Sequence, residues 1–126
     1  MTALEIIEDT VKYYSEDTNR RARNMLNCSC EYLTAQGKMC AVGRCLLPSK
    51  NKGLKNNFAF LANSKGKLIK NKDNYFKKQY RGFPESFWND LQMLHDKGIN
   101  WVKNELTKEG EKYVEMLKKE YANVKN

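Results

Sequence analysis

The first regular pattern in the chain is helical. Thr2-Ala3-Leu4-Glu5 has the spacing of a capping box, and Leu4, Ile7, Val11 and Tyr14 recur every three or four residues, predicting an amphipathic helix over 3–14. Residues 15–23 are polar and mixed in charge, and predict a loop or a frayed turn. From Leu26 the period drops to two. Leu26, Cys28, Cys30 and Tyr32 alternate with Asn27, Ser29 and Glu31, which predicts a strand with its cysteines on the buried face. Gly37 marks a turn, and residues 39–47 read as the returning strand of a hairpin ended by Pro48. A second, weaker hairpin is predicted from 58–61, a turn at 63–66 and a return at 67–69.

In the last third, Pro84 suits the first position of a helix that carries Phe87, Leu91 and Leu94 as a stripe beside Trp88, with Gly98 as its stop. Asn100 or Thr107 caps a final amphipathic helix bearing Tyr113, Val114, Met116, Leu117 and Tyr121, with lysines toward its C-terminal end. The expected fold class is α+β: a small antiparallel sheet of one or two hairpins, packed with an N-terminal helix and C-terminal helices. Aromatic residues at helical spacing place Trp88 and Trp101 in the core.

Length and composition narrow the class. At 126 residues, 1–126 is expected to form a single domain. Two prolines, seven glycines and 11% aromatic residues exclude a low-complexity chain. There is no apolar run of about 18 residues, and the N-terminus is acidic where a signal peptide is basic, so a soluble cytoplasmic protein with no membrane partner is expected.

Charge changes the picture more. The formal net charge is +8, and it is local: residues 46–82 hold ten basic side chains against Asp73 alone, while both flanks are nearly balanced. Tyr75, Phe76, Tyr80 and Phe83 are interleaved with these cations, a combination that pairs phosphates and stacks on bases. Nine of the ten are lysines, flexible point charges that disfavour sequence-specific duplex readout. The expected ligand-binding residues are Lys70, Lys72, Tyr75, Phe76, Lys77, Lys78, Tyr80, Arg81 and His95. The competing structural explanation is a solvated lysine-rich loop.

Four cysteines raise the question of zinc. Cys28-x-Cys30 in an extended strand separates its sulfurs by about 7 Å, too far for one ion, so Cys28, Cys30, Cys40 and Cys45 are expected to be buried thiols and no metal is expected. His95, the one histidine, with Asp96 and Cys40 or Cys30, has the residue types of a thiol nucleophile and its base, but nothing in the spacing joins them. Phosphate-cradling glycine loops, nucleophile elbows and paired-carboxylate motifs are absent. No cofactor and no catalytic residue is expected, and an enzyme is the minority reading.

The blocks Cys30-Glu31-Tyr32, Gly37, Cys40-Ala41-Val42-Gly43 and Leu91-Gln92-Met93-Leu94-His95-Asp96, with Trp101, resemble a family of small uncharacterised phage and prophage proteins. That family has a Cys-x-Tyr strand and a Cys-Ala-Ile/Val-Gly strand before a Leu-Gln-x-x-His-Asp helix. The chain departs from it after Cys45, where Leu46-Leu47-Pro48-Ser49-Lys50 replaces an acidic turn. The resemblance implies a phage accessory protein in the cytoplasm of a bacterial host, with the hairpin packed on the His95 helix. Together with the basic segment it gives a leading expectation: a counter-defence protein that sequesters a cyclic or oligomeric nucleotide, enclosed between subunits of a homo-oligomer. A nucleic-acid-binding protein using the same lysines is the alternative, as is an inhibitor that presents them to an acidic surface of a host defence protein.

Overall fold

A computed structural model describes residues 1–21, 39–48, 55–57, 60–62, 72–97 and 100–124. The predicted strand at 26–32, with Cys28 and Cys30, lies outside them, as do Lys70, Gly98 and the predicted turn and return strand at 63–69. The fold is α+β. Among the described residues, three helices, α1 (Ala3–Glu16), α2 (Glu85–Asp96) and α3 (Lys108–Glu120), pack with two small antiparallel strand pairs. In one pair β1 (Lys55–Asn57) meets β2 (Phe60–Ala62); in the other β3 (Trp101–Val102) meets β4 (Glu105–Leu106).

The helices start where the sequence places them. Thr2 caps α1 by accepting from the Glu5 N–H at 3.1 Å, and Thr107 caps α3 by accepting from the Gly110 N–H at 3.1 Å. Pro84 precedes α2 as its N-cap, supplying a preset φ and withholding no needed donor. Ile6, Ile7 and Tyr14 of α1, Phe87, Trp88, Leu91 and Leu94 of α2, and Val114 and Leu117 of α3 join one cluster of buried side chains. Trp88 is its centre, stacked on Phe76 with centroids 4.5 Å apart and met edgewise by Phe83 and Phe87. Trp101 is buried at the same core and donates from Nε1 to the Leu94 carbonyl at 2.8 Å.

One expectation is corrected. Residues 39–47 are not a continuous strand: Gly43–Cys45 is a 3-10 turn, and Leu46 after it bridges to Phe76. The run is apolar at successive positions, so an extended chain would bury one side and expose the other. The turn instead buries Ala41, Val42, Cys45 and Leu46 together, at helical spacing. Its thiols take part: Gly43 N–H donates to Cys40 Sγ at 3.2 Å, and Cys45 Sγ donates to the Ala41 carbonyl at 3.5 Å. Of the second predicted hairpin, β2 overlaps the strand expected at 58–61, and it pairs with Lys55–Asn57, a partner the sequence did not suggest; the expected return strand at 67–69 lies outside the described residues. The β3–β4 pair was not predicted, and it turns through Lys103 (φ 39°) and Asn104 (φ 66°), both left-handed. Asn104 suits that conformation and also accepts from the Thr18 N–H at 2.9 Å, tying the turn to the end of α1.

Gly110 marks the closest approach between elements. A Cβ there would lie 2.3 Å from the Asn100 carbonyl oxygen, which is itself held by the Thr107 N–H at 2.9 Å. Gly110→Ala, ordinarily favourable inside a helix, is therefore expected to destabilise the protein by about 2 kcal/mol or more, read from urea unfolding. Helix α3 is tied to α2 by two phenols: Tyr121 donates to Asp90 Oδ2 at 2.6 Å and Tyr113 to the Asp90 carbonyl at 2.7 Å. Burial, then the Asp90 carboxylate, push Tyr121 up to about 12 from 10.0; the same two causes raise Tyr113, and burial raises Tyr14 and Tyr80. Above pH 10 the unfolded chain releases phenolic protons that the folded chain retains, so this stability, complete below 10, is lost as pH rises through the folded values. Thermal midpoints are expected to fall between pH 10 and 12, with phenolate absorbance appearing together with unfolding.

Candidate functional site

Residues 72–82 of the basic segment form a clip of two 3-10 turns, Lys72–Tyr75 and Lys78–Tyr80, fastened to the 43–47 turn. Leu47 N–H donates to the Tyr75 carbonyl at 2.8 Å and Lys77 N–H to the Cys45 carbonyl at 2.9 Å, on either side of the Leu46–Phe76 bridge. Phe76 anchors the clip by its stack on Trp88. Asp73, the lone acid of residues 46–82, closes the loop: its Oδ1 accepts from Gly82 N–H at 3.1 Å and pairs with Lys72 Nζ at 3.3 Å. Gly82 has φ 91°, a conformation that a side chain would strain.

Two of the remaining three cations bond to neutral carbonyls. Lys77 Nζ donates to the Arg44 carbonyl at 3.0 Å and Arg81 Nε to the Phe76 carbonyl at 3.1 Å; Lys78 is exposed. A carbonyl orders an ammonium or guanidinium group without cancelling its charge, so Lys77, Lys78 and Arg81 present a net positive surface.

The predicted site residues divide accordingly. Lys72, Lys77, Lys78 and Arg81 belong to the clip, with Tyr75 and Tyr80 half-buried beneath it. Tyr80 meets Trp88 edgewise at 6.4 Å. Phe76 and Phe83 are buried and packed in the aromatic core, where no base can stack on them. His95 occupies a different setting. It is buried beside Tyr14, ring centroids 5.0 Å apart, and its Nδ1 lies 2.7 Å from Asp96 Oδ1. With the carboxylate as acceptor, Nδ1 carries the hydrogen. Gln92 Nε2 donates to the same oxygen at 2.6 Å, and Gln92 Oε1 accepts from Val42 N–H at 3.2 Å, joining the Cys40-Ala41-Val42-Gly43 block to α2.

Sequence reasoning missed Arg44, whose carbonyl meets Lys77 of the clip, and the cluster it makes with Tyr13 and Arg20. The Arg44 and Arg20 guanidinium carbons lie over the Tyr13 ring, 3.8 and 4.6 Å from its centroid, and Arg44 pairs with Asp9 at 3.1 Å. Asp9 and Tyr13 are one helical turn apart, but nothing in the linear sequence shows Arg44 reaching them. Burial pushes the Cys45 thiol up to about 12, against the pull of Arg44 and Lys77, so this thiol is a packing group at neutral pH. The thiol–imidazole chemistry weighed from sequence finds its orienting acid, since Asp96 does meet His95. Cys40 and His95 are both buried, however, at 1% and 0% exposure, and His95 reads as a core hydrogen-bonding group. Among the described residues no three His, Cys, Asp or Glu side chains are grouped to hold a metal, and no helix is long and apolar enough to cross a membrane.

No family model, curated protein or solved structure matches the chain.

Arg44 tests how the clip is supported. Arg44→Lys keeps the charge beside Asp9 and loses the planar stack on Tyr13, so it is expected to cost about 1 kcal/mol in denaturant unfolding, a loss that high salt leaves largely in place.

Proposed function

We propose that the protein binds nucleic acid through the phosphate backbone, as a phage-type accessory protein without enzymatic chemistry, using Lys72, Lys77, Lys78 and Arg81. The observation that carries this reading is the sidedness of the clip. Its aromatic anchors Phe76 and Phe83 point into the core, while Lys77 and Arg81 bond to carbonyls and keep their charge. Cations on an outer face suit a chain of phosphates; sequestering a single nucleotide calls for aromatic faces turned outward into a pocket. Residues 72–81 carry four basic side chains against one acid. Predominance of lysine favours binding that tolerates sequence.

The test is fluorescence anisotropy with single-stranded and duplex oligonucleotides across a salt series, alongside cyclic nucleotides. Affinity is expected to fall steeply with salt, and Lys78→Ala with Arg81→Ala to reduce the slope of log K against log salt by about two. A salt-insensitive thermal shift with a single small nucleotide would instead establish sequestration. Binding to neither class would leave an acidic protein surface as the target of the clip.

A further inference from the structure

Helices α1 and α3 run antiparallel along one face. Ala3 N–H donates to the Val124 carbonyl at 3.4 Å at one end, and Lys118 Nζ lies 3.6 Å from Glu8 further along. Between them runs an open groove of about 380 Å³ floored by Val11, Leu106 and Val114. It continues into a second depression at Leu4 and Met116, and Met116 is 47% exposed. The rim is charged in both signs: Glu8, Glu111 and Glu115 against Lys12, Lys118 and Lys119. This face therefore has no net charge, on a chain whose net charge is +8.

We infer that this face binds a second copy of the same chain in a twofold dimer. Two molecules of the same strong charge repel unless they meet through a neutral surface, and the α1–α3 face is one. A strongly acidic or basic partner has nothing to select here, whereas alternating signs can complement themselves. A twofold axis parallel to the groove lays α1 of one copy across α3 of the other. Lys12 then opposes the second copy's Glu111 and Glu115, Glu8 opposes its Lys118, and Leu4 meets its Met116. The contact is isologous and leaves no unpaired half. It adds apolar burial at Val11, Leu4 and Met116, which a monomer leaves partly in water.

Sedimentation equilibrium of the full chain tests this. The wild type is expected at twice the chain mass. Lys12→Glu and Glu115→Lys are each expected to weaken the dimer about tenfold or more, and the double variant K12E/E115K to restore it. Both side chains are exposed, and unchanged circular dichroism shows that the variants are folded. Met116→Glu, in the depression beside Leu4, is expected to give a monomer. A wild type that stays monomeric up to about 0.1 mM overturns the proposal. So does a dimer that survives both Met116→Glu and Lys12→Glu, or single variants whose loss the double variant fails to restore.

Discussion

The C-terminal end of α2 sets the constraint from which much of the structure follows. Phe87, Trp88, Leu91, Gln92, Leu94 and His95 are all buried, so the helix is covered on two adjacent faces and its last carbonyls end inside the protein. Carbonyls left unpaired there would each cost on the order of 1–3 kcal/mol. They are met from three directions: Leu94 accepts from Trp101 Nε1 and Asn100 Nδ2, His95 from Arg21 Nε, and Asp96 from an Arg21 terminal nitrogen. These donors bring the segment after α1 and the start of β3 to one place. Gln92 brings the 40–43 block to the turn above it through Val42. Helix ends, turns and the core are thus joined by the need to satisfy one set of backbone oxygens.

The other end of α2 positions the basic clip. Trp88 offers its ring to Phe76, and the surrounding Tyr80, Phe83 and Phe87 make an aromatic nest that burial alone stabilises by several kcal/mol. Once Phe76 is seated, Tyr75 and Lys77 on either side of it are held by backbone bonds to Leu47 and Cys45, and the clip's lysines have the outer face left. The same packing that removes two aromatics from contact with a ligand holds the cations on a defined surface. Asp73 is spent on closing the loop, and its charge is opposed by Lys72.

Helices were legible in the linear pattern because capping and apolar spacing are local properties. Thr2, Thr107 and the stripe of α2 act as their positions imply, and in α3 Val114 and Leu117 are buried while Met116, expected with them, is exposed. The 39–47 segment misled because an apolar run without clear alternation has no intrinsic direction; burial of Ala41, Val42, Cys45 and Leu46 on one side decided for a turn. The strand pair at 55–57 and 60–62 contains Lys55, Asn56 and Asn57, poor strand formers whose pairing no propensity announces. In the candidate site, the basic segment was evident from charge alone, but which of its aromatics would face outward was not. Tyr13, Arg20 and Arg44 come together from positions up to 31 residues apart, in a stretch whose charge is balanced.

What the sequence by itself determined is therefore the helices, the membership of the core at Trp88 and Trp101, the fold class, and the place of the positive charge. Each depends on composition or on spacing within a few residues. Only the tertiary structure decided that Phe76 and Phe83 are anchors, that His95 is clamped by Asp96 inside the core, and that α1 and α3 share a face without net charge. A side chain's direction is set by which distant surface can cover it, and that surface exists only after the chain has folded back on itself.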